Sequence, residues 1–327
     1  MKKEYLSGIC YALLFAVPAY ALGRYFPIVG GPVFGILLGM LFARVRRAKS
    51  LESGIQFTGK KILQYAIILL GFEMNLFHVM EVGAQSLYVM IFTLLAAFGA
   101  ALLMGKVLGL GRDMTALVGA GTAICGGSAI AAVAPVIGAK DRDVVISIAT
   151  IFLFNVLAVF IFPFLGHTYG MTDMGFGMWA GTAINDTSSV VAAGYAYSAE
   201  AGAYATIVKL TRTLMIVPVC LFFALMMMRG ARGSAAGFSL KRIFPMFVLY
   251  FIAACLINTS GILPTAAAHA LGTLGKFAIV LAMSALGLNT DLAALLRNGL
   301  RPLALGMVCW IAVAGTSLLV QHALGLL

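Results

Sequence analysis

Asp186 is the residue of this sequence that most clearly requires a chemical explanation. It lies in the stretch GTAINDTSSVV at 181–191, between runs of Ala, Val, Leu and Phe that are typical of membrane-spanning segments. A charge near the centre of a bilayer costs about 2.5–3.5 kcal/mol even on the mildest scales, so such a carboxylate is a functional candidate. A structural role is the alternative, because Asp is a good N-cap for a helix that begins after it.

Lys209 and Arg212 are the second feature that could carry chemistry. They lie in the segment ATIVKLTRTLMIVP at 205–218, and their i, i+3 spacing places them on one helical face. Two cations on one face need a polar lining or an anion, and Arg can bind an oxyanion through two parallel hydrogen bonds. The alternative is that they neutralise Asp186 or extend their charged ends toward the interface.

The pentapeptide AGTAI occurs twice, at 120–124 and 180–184, and each copy leads into residues that disfavour a helix. Adjacent glycines, and clustered Asn, Asp, Ser and Thr, lower helix propensity and compete for backbone hydrogen bonds. We therefore expect two helix breaks, at 125–128 and at 185–189, each followed by a half-helix whose N-terminus favours an anion. The predicted anion site comprises Gly126, Gly127, Ser128, Asn185, Asp186, Thr187, Ser188, Lys209 and Arg212.

Membrane helices must position these residues. Of the 327 residues, 62% are hydrophobic and 10% are charged, whereas soluble domains carry roughly 25% charged residues. A spanning helix needs about 20 apolar residues. The sequence therefore predicts an all-α membrane protein, a single polytopic domain over 1–327. We expect about eleven hydrophobic segments, at 8–26, 30–45, 59–77, 86–108, 115–138, 144–166, 176–198, 203–228, 243–260, 272–290 and 300–322.

Lys and Arg are concentrated in the loops 44–61 and 229–242. By the positive-inside rule these loops are cytoplasmic, which places the N-terminus in the cytoplasm of a protein in the inner membrane. The net charge of +11 therefore reflects topology and not nucleic-acid binding. The start MKK and the AYA at 19–21 imitate a cleaved secretory signal. Pro18 and the immediate next span favour a retained first helix instead.

Two pairs of segments predict an internal duplication. Residues 59–76 align without a gap on 275–292, and residues 120–132 align on 180–192. The charge rule makes the first pair run in opposite directions, as in transporters built from inverted repeats. The second pair, inside the segments 115–138 and 176–198, is opposed if both segments re-enter and parallel if both cross. The sequence leaves both arrangements open.

Two acidic residues end the first pair of aligned segments, Glu73 in GFEMN and Asp291 in GLNTD. We expect them near opposite membrane interfaces with structural roles. The five cysteines lack a CxxC spacing and the four histidines are scattered, so no metal and no cofactor is expected.

The motif GTAICGGSAIAAVAPVIGAKD at 121–141, followed by ISIATIFLFN at 146–155, resembles the sulfate exporter family of bacterial inner-membrane proteins. The resemblance extends over nearly the whole chain, through LLGFEMNL, KLTRTLMIVP and ALGLNTDL. That family is grouped distantly with bile acid, arsenite, auxin and cation/proton transporters, which share inverted repeats and broken helices. The resemblance implies anion transport, under a sulfate label that is itself a provisional assignment. A His usually precedes the acidic residue of the second motif, and Asn185 stands there in this chain.

These features predict a secondary active transporter, and more specifically an exporter, of a small anion such as sulfate, a related sulfur oxyanion or an organic anion. Alternating access would occur around the two broken segments, with Asp186 coupling the movement to H⁺ or Na⁺. A cation/proton antiporter that uses Asp186 and Lys209 is the alternative, followed by a channel or a membrane sensor.

An enzyme is not expected, because the sequence has no HExxH or GxSxG motif. The expected partners are the anion, the coupling ion and the lipid bilayer, with a homo-oligomer left open and no nucleic acid.

Overall fold

The computed structural model describes residues 3–26, 29–229, 245–290 and 299–327. Its regular elements are helices: α1 Lys3–Tyr25, α2 Gly31–Leu41, α3 Lys49–Phe57, a π-helical turn Thr58–Ile62, α4 Leu63–Gly71, α5 Leu76–Val107, α6 Arg112–Ala123, α7 Gly127–Ile137, α8 Asp141–Thr168, α9 Asp173–Ala183, α10 Thr187–Tyr197, α11 Ala199–Leu214, α12 Ile216–Arg229, α13 Met246–Thr259, α14 Thr265–Leu288 and α15 Leu300–Leu324. The predicted loop 229–242 lies largely outside the described residues, and Asp291 lies outside them entirely.

The all-α membrane class expected from the sequence is confirmed. Six helical stretches in the described part of the chain are long and apolar enough to cross a membrane, and three shorter apolar helices accompany them. Each of the eleven predicted segments corresponds to one helix or to consecutive helices of this set. Local signals set several ends: Asn75 Oδ1 accepts the Phe77 N–H at 2.8 Å to begin α5, and Gly138, with φ of 63°, ends α7.

The helices form two bundles that meet along a narrow surface. Helices α1 to α4, α13 and α14 pack mainly on one another and form the scaffold bundle, while α5 to α12 and α15 form the hairpin bundle. Helix α10 provides much of the contact between them. Val191 and Ala192 of α10 belong to the same buried apolar cluster as Val33, Ile36 and Met283 of the scaffold bundle. In this cluster the two bundles therefore contact each other through apolar side chains.

The aligned segments 59–76 and 275–292 pack against each other antiparallel, as far as the latter is described. A Cβ built on Gly59 would lie 3.7 Å from the Leu286 nitrogen, and one on Gly275 would lie 3.4 Å from the Leu70 side chain. Gly59 aligns with Gly275 and Leu70 with Leu286, so aligned residues make equivalent contacts. An inverted repeat requires this arrangement, although the duplication itself stays a prediction.

Helix α9 runs parallel to α11. Cβ atoms built on Gly177 and Gly181 would each lie 3.0 Å from the carbonyl oxygens of Ala201 and Ala205, respectively. The contact thus moves four residues along both helices in the same direction. Since α9 begins near the start of α11, it enters the bundle from the end at which α11 begins.

Helix α10 returns to that same end, so α9 and α10 form a re-entrant hairpin. A Cβ on Gly194, near the end of α10, would lie 2.9 Å from Gly202 at the start of α11. The ring of Tyr197 stacks on that of Phe176 at 4.0 Å, and its hydroxyl donates to the Met171 carbonyl at 2.5 Å. The beginning of α9 and the end of α10 are therefore neighbours.

Helices α6 and α7 fold back on each other in the same way. A Cβ on Gly121 would lie 2.9 Å from the Ile130 side chain, which is nine residues later and would be about 13 Å away along a continuous helix. The Gly126 N–H donates to the Gly121 carbonyl at 2.9 Å and closes the turn. Both segments are therefore re-entrant, which is the alternative that the sequence had left open.

The long helix α8 separates the bases of the two hairpins. Its 28 residues span about 42 Å, which exceeds a hydrocarbon core of roughly 30 Å. It begins just after α7 and finishes just before α9, so the hairpins enter from opposite ends of the bundle. The end that carries the α6–α7 base is called the basic end here, because Lys106, Arg112, Lys140 and Arg142 lie beside it. The other is called the far end.

Candidate functional site

The candidate site lies where the tips of the two hairpins meet. Each tip is a break of three residues, 124–126 in the first hairpin and 184–186 in the second. The sequence placed the breaks at 125–128 and 185–189, so both breaks are confirmed but are shorter and earlier than expected. The residues that follow the breaks already belong to α7 and α10. Helix α10 begins directly after its N-cap Asp186, and α7 begins directly after Gly126. Gly126 has φ of 67°, a conformation that favours glycine.

Asp186 caps helix α10. Its Oδ2 accepts the backbone N–H of Ser188 at 3.0 Å, and the Ser188 hydroxyl donates to the same oxygen. The carboxylate is partly exposed. The sequence left open that Lys209 and Arg212 neutralise Asp186. Within the described residues, the carboxylate forms no ion pair within 4.0 Å with either of them.

Lys209 joins the two tips. Its Nζ donates to the carbonyl oxygen of Ile124 at 2.8 Å and to that of Ile184 at 3.0 Å. These residues are equivalent in the two AGTAI copies. The side chain is fully buried. A single ammonium therefore satisfies one orphan carbonyl at the C-terminal end of each broken half-helix, where the helix dipole is negative.

Arg212 makes the same type of contact one turn further along α11. Its Nε donates to the Ala123 carbonyl at 2.8 Å, its Nη1 to the Ile184 carbonyl at 3.3 Å, and its Nη2 to the Thr122 carbonyl. The guanidinium is fully buried. Two N–H groups of the fork are left after these contacts, since a guanidinium has five.

Asn155 on α8 holds the second tip and was not recognised from the sequence as a site residue. Its Oδ1 accepts the backbone N–H groups of Asn185 and Asp186, both at 3.1 Å. It lies in ATIFLFN, the stretch that aligns with ATIVKLT before Arg212. That alignment could have identified Asn155 from the sequence. An uncharged polar residue in an otherwise apolar helix indicates a specific hydrogen-bond partner, and Asn155 aligns with the residue just before Arg212.

A polar chain on α15 was also missed. The hydroxyls of Thr182 and Ser317 are 2.6 Å apart, and Gln321 Nε2 donates to Ser317 Oγ at 3.0 Å. All three residues are buried. They fix the second hairpin to α15, whereas the equivalent hydroxyl of Thr122 in the first hairpin has no partner in the described part of the chain.

The charges at the tips add up to a positive site. Four half-helix ends meet there, two negative C-termini and two positive N-termini of about half a charge each, and these cancel. Of the side chains, Lys209 and Arg212 are cationic and Asp186 is anionic, so one positive charge is in excess. The N-terminus of α7 has no side-chain cap. The tips can therefore accept a small anion, both by net charge and by free backbone N–H groups.

The two hairpins differ in exposure. Ser128, Ala131 and Pro135 of α7 are exposed from the tip to the basic end, and Thr187 and Asp186 at the second tip are partly exposed. Residues 188–194 of α10 are all buried. One face of α7 is thus uncovered by the described residues from its first turn to its last, whereas α10 is covered on all sides over residues 188–194.

The far end of the second hairpin is closed by what we call the Tyr197 latch, which comprises Met171, Phe176, His167 and Tyr197. Besides its contacts with Phe176 and Met171, the Tyr197 ring stacks on His167 at 4.2 Å. Ser198 adds a hydroxyl bond to the Asp173 carboxylate. Within the described residues, no side-chain bond of this kind joins the base of the first hairpin.

Glu73, expected to be structural, lies in the scaffold bundle away from the tips. It pairs with Lys276 at 3.1 Å and contacts His269 at 3.1 Å. In the alignment of 59–76 on 275–292, the residue at the same position as Glu73 is Asn289, whose Oδ1 accepts a hydrogen bond from Arg47 at 2.9 Å.

Comparison with known proteins gives one family. The family model described as Conserved hypothetical protein 698 matches residues 7–306. A UPF0324 membrane protein of Streptococcus pyogenes is 48% identical over 332 residues and covers 98% of both chains. One of Clostridium tetani is 42% identical over 339 residues, covering 99% of this chain and 98% of the other, and one of Fusobacterium nucleatum is 43% identical over 343 residues, covering 98% and 99%.

The solved structure of a sodium proton antiporter from Methanocaldococcus jannaschii also matches. It is 15% identical and covers 95% of this chain and 99% of that chain, with a TM-score of 0.29, so this likeness carries no argument about fold or function. The family membership expected from the motifs is confirmed by the family model and by the relatives. With 48% identity over almost its full length to a relative from Streptococcus pyogenes, this chain belongs to the UPF0324 family of bacterial membrane proteins.

Proposed function

We propose that this chain is a secondary active transporter of a small anion such as sulfate, a related sulfur oxyanion or an organic anion. One observation carries the proposal: two opposed re-entrant hairpins meet at a buried site that holds two cations and one carboxylate. Non-helical backbone at membrane depth is tolerated where it is shielded by protein or lines a cavity. In transporters with inverted repeats, such breaks bind the substrate near the midplane.

The two cations favour anion binding indirectly, because they bind backbone carbonyls at the hairpin tips. Lys209 and Arg212 bind carbonyl oxygens, so they cancel the negative helix ends that would otherwise repel an anion. Their excess charge and the free N–H groups at the start of α7 then attract it. Gly127 and Ser128 supply backbone N–H groups and a hydroxyl on the first side, and Thr187 supplies a hydroxyl on the second. Gly126 adds no side chain that would cover these groups, and its own N–H is bonded to the Gly121 carbonyl.

In this proposal the described conformation is the one with access from the basic end. The exposed face of α7 leads from the tips to that end, and the Tyr197 latch closes the far end. Since the Lys- and Arg-rich loops are cytoplasmic by the charge rule, this is the inward-facing state of a protein of the inner membrane with a cytoplasmic N-terminus. Release of an exported anion requires the latch to open.

Asp186 is the coupling residue in this proposal. It is partly exposed, and its cap contact uses Oδ2. Among the described residues Oδ1 has no hydrogen-bond partner, so it can bind the coupling ion. Neutralising it raises the positive excess of the site from one to two charges, which ties anion affinity to the coupling ion. The carrier reaction includes no covalent step.

The test is anion binding by the purified full chain, followed by flux in proteoliposomes. A bound anion raises stability by RT ln(1 + [L]/Kd), so sulfate, sulfite, thiosulfate, sulfonates and carboxylates are compared by their effect on Tm. We expect at least one anion to stabilise the protein and to exchange across the membrane only against a gradient of anion, H⁺ or Na⁺.

Stabilisation by metal cations alone, with proton release, would replace this proposal by a cation/proton antiporter. Flux that is independent of any counter-gradient would indicate a channel.

A further inference from the structure

Asn185 has a carboxamide without a partner at the hairpin tip. The residue is 1% exposed, and in the described part of the chain neither its Nδ2 nor its Oδ1 makes a hydrogen bond. A buried polar atom without a partner is costly and therefore calls for an explanation. Because both ends of the amide are free, this observation does not depend on which way the amide is turned.

The backbone on both sides of Asn185 is already fixed. The carbonyl before it, on Ile184, accepts from Lys209 and Arg212, and its own N–H donates to Asn155. The side chain therefore has little freedom to find a partner by rotating the backbone. It directly follows Ile184, whose carbonyl both cations bind, and it aligns with Cys125 in the first tip.

A carboxamide offers two N–H donors and an oxygen that accepts. A fully deprotonated oxyanion has acceptors only, so it pairs with Nδ2 and leaves Oδ1 unpaired. An oxyanion that keeps an O–H pairs with both. We infer that the anion site selects small oxyanions that carry an O–H or N–H donor, such as hydrogen sulfite, hydrogen phosphate or a monoprotonated phosphonate, over fully deprotonated ones such as sulfate.

The first tip supports this inference independently. Thr122 is fully buried and its hydroxyl also has no partner in the described residues, although its equivalent, Thr182, is bonded to Ser317. Its carbonyl is one of those that Arg212 binds. Each tip thus carries a buried group that can donate and accept and that has no partner among the described residues, and Arg212 binds the backbone of both tips.

This inference rests on the proposed anion transport. Two matched ligands make it possible to test the selectivity separately from anion binding itself. Methylphosphonate at mildly acidic pH and methanesulfonate have the same charge and nearly the same shape, but only the phosphonate keeps an O–H. Their Kd values are measured on the purified full chain from the rise in Tm and by calorimetry. We expect the phosphonate to bind at least about tenfold more tightly, because sites that hydrogen-bond a substrate hydroxyl reject the analogue without it.

Asn185→Leu, which has a similar volume and no polar atom, is expected to bind the two ligands within about twofold of each other. Asn258→Leu is the matched control, since Asn258 donates to the Met74 carbonyl in the scaffold bundle, and it should keep the wild-type ratio. The wild-type ratio alone tests the inference if Asn185→Leu does not fold.

Three results would contradict these statements in different ways. Equal binding of both ligands by the wild type, or tighter binding of the sulfonate, overturns the selectivity and leaves anion transport standing. A preference that survives in Asn185→Leu shows that another group provides it and overturns the role of Asn185. Binding of neither ligand, nor of phosphate or sulfate, overturns the proposed function itself.

Discussion

Replacing Tyr197 by Phe is expected to open the second hairpin toward the far end. The substitution removes one hydrogen bond, from the Tyr197 hydroxyl to the Met171 carbonyl at 2.5 Å. It keeps the stacks on Phe176 and His167, whose ring centroids lie 4.0 and 4.2 Å away. The change therefore isolates the polar part of the Tyr197 latch.

The size of the effect follows from that single bond. An intramolecular hydrogen bond contributes about 0.5–1.5 kcal/mol net, and 1.4 kcal/mol corresponds to a factor of ten in an equilibrium constant. The open fraction should therefore rise about two- to tenfold. Tyr197→Ala also removes two stacked aromatic pairs of about 0.5–1.5 kcal/mol each, so it should open the hairpin considerably further.

The assay is the labelling rate of a cysteine at the second tip. Thr187→Cys is placed in a Cys10→Ser background, because Cys10 is the exposed cysteine and Cys125, Cys220, Cys255 and Cys309 are buried. A membrane-impermeant thiol reagent is applied to oriented vesicles from the side opposite to a reference cysteine at Ser50. Tyr197→Phe should raise the labelling rate from that side about two- to tenfold.

Tyr169→Phe serves as the control, because Tyr169 is nearby and 72% exposed and should leave the rate unchanged. An unchanged rate in both Tyr197→Phe and Tyr197→Ala would refute the latch. Fast labelling of the wild type from the far side would refute the closed far end altogether.

Three further predictions concern the tips and the topology. Arg212→Lys should lower the free energy of unfolding by about 1–3 kcal/mol, because a lysine cannot reach all three carbonyls and leaves buried acceptors unpaired. Chemical denaturation measures this loss, and anion binding should weaken with it. Wild-type values of both would contradict the capping role of Arg212. Asp186→Asn should preserve Tm, since Asn caps helices equally well, and should bind the anion at least as tightly as the wild type, because it removes the one negative side-chain charge of the site. It should also abolish the dependence of transport on pH or Na⁺, and retained dependence would exclude Asp186 as the coupling residue. The predicted loop 44–61 is largely helical, and Ser50 lies in the first turn of α3. A cysteine at Ser50 should react with an impermeant reagent only in inverted vesicles, and reaction in intact cells would reverse the orientation.

Much of the fold could be predicted because it depends on local properties of the sequence. Long apolar stretches specify membrane helices in any context, since an unpaired backbone group in hydrocarbon is too costly for other structures. The breaks could be located to within a few residues because glycine at 126 and a capping carboxylate at 186 act on their own turns. Their boundaries were placed too late because helix restarts depend on which N–H groups are capped, as Asp186 does for Ser188.

The sequence singled out residues that the structure brings together at the tips, but it did not predict their contacts, and their role in binding stays a prediction. Lys209 and Arg212 were identified because two cations in an apolar helix are conspicuous, and the sequence suggested an anion or Asp186 as their partner. The structure gives them backbone carbonyls. A carbonyl is present at every residue, so no sequence pattern shows which ones a cation will bind.

The sequence by itself determined that this is a helical membrane protein, interrupted at two related places and carrying its excess positive charge at one end. These properties follow from hydropathy, helix propensity and loop charge, which act over one or two turns. Only the tertiary structure decided that both interrupted segments turn back and that their tips share Lys209 and Arg212. It also decided that Asn155 holds the second tip and that Tyr197 joins the base of the second hairpin. The reason is physical: crossing and re-entry place the same apolar residues in equally apolar surroundings, so packing between distant helices has to choose between them.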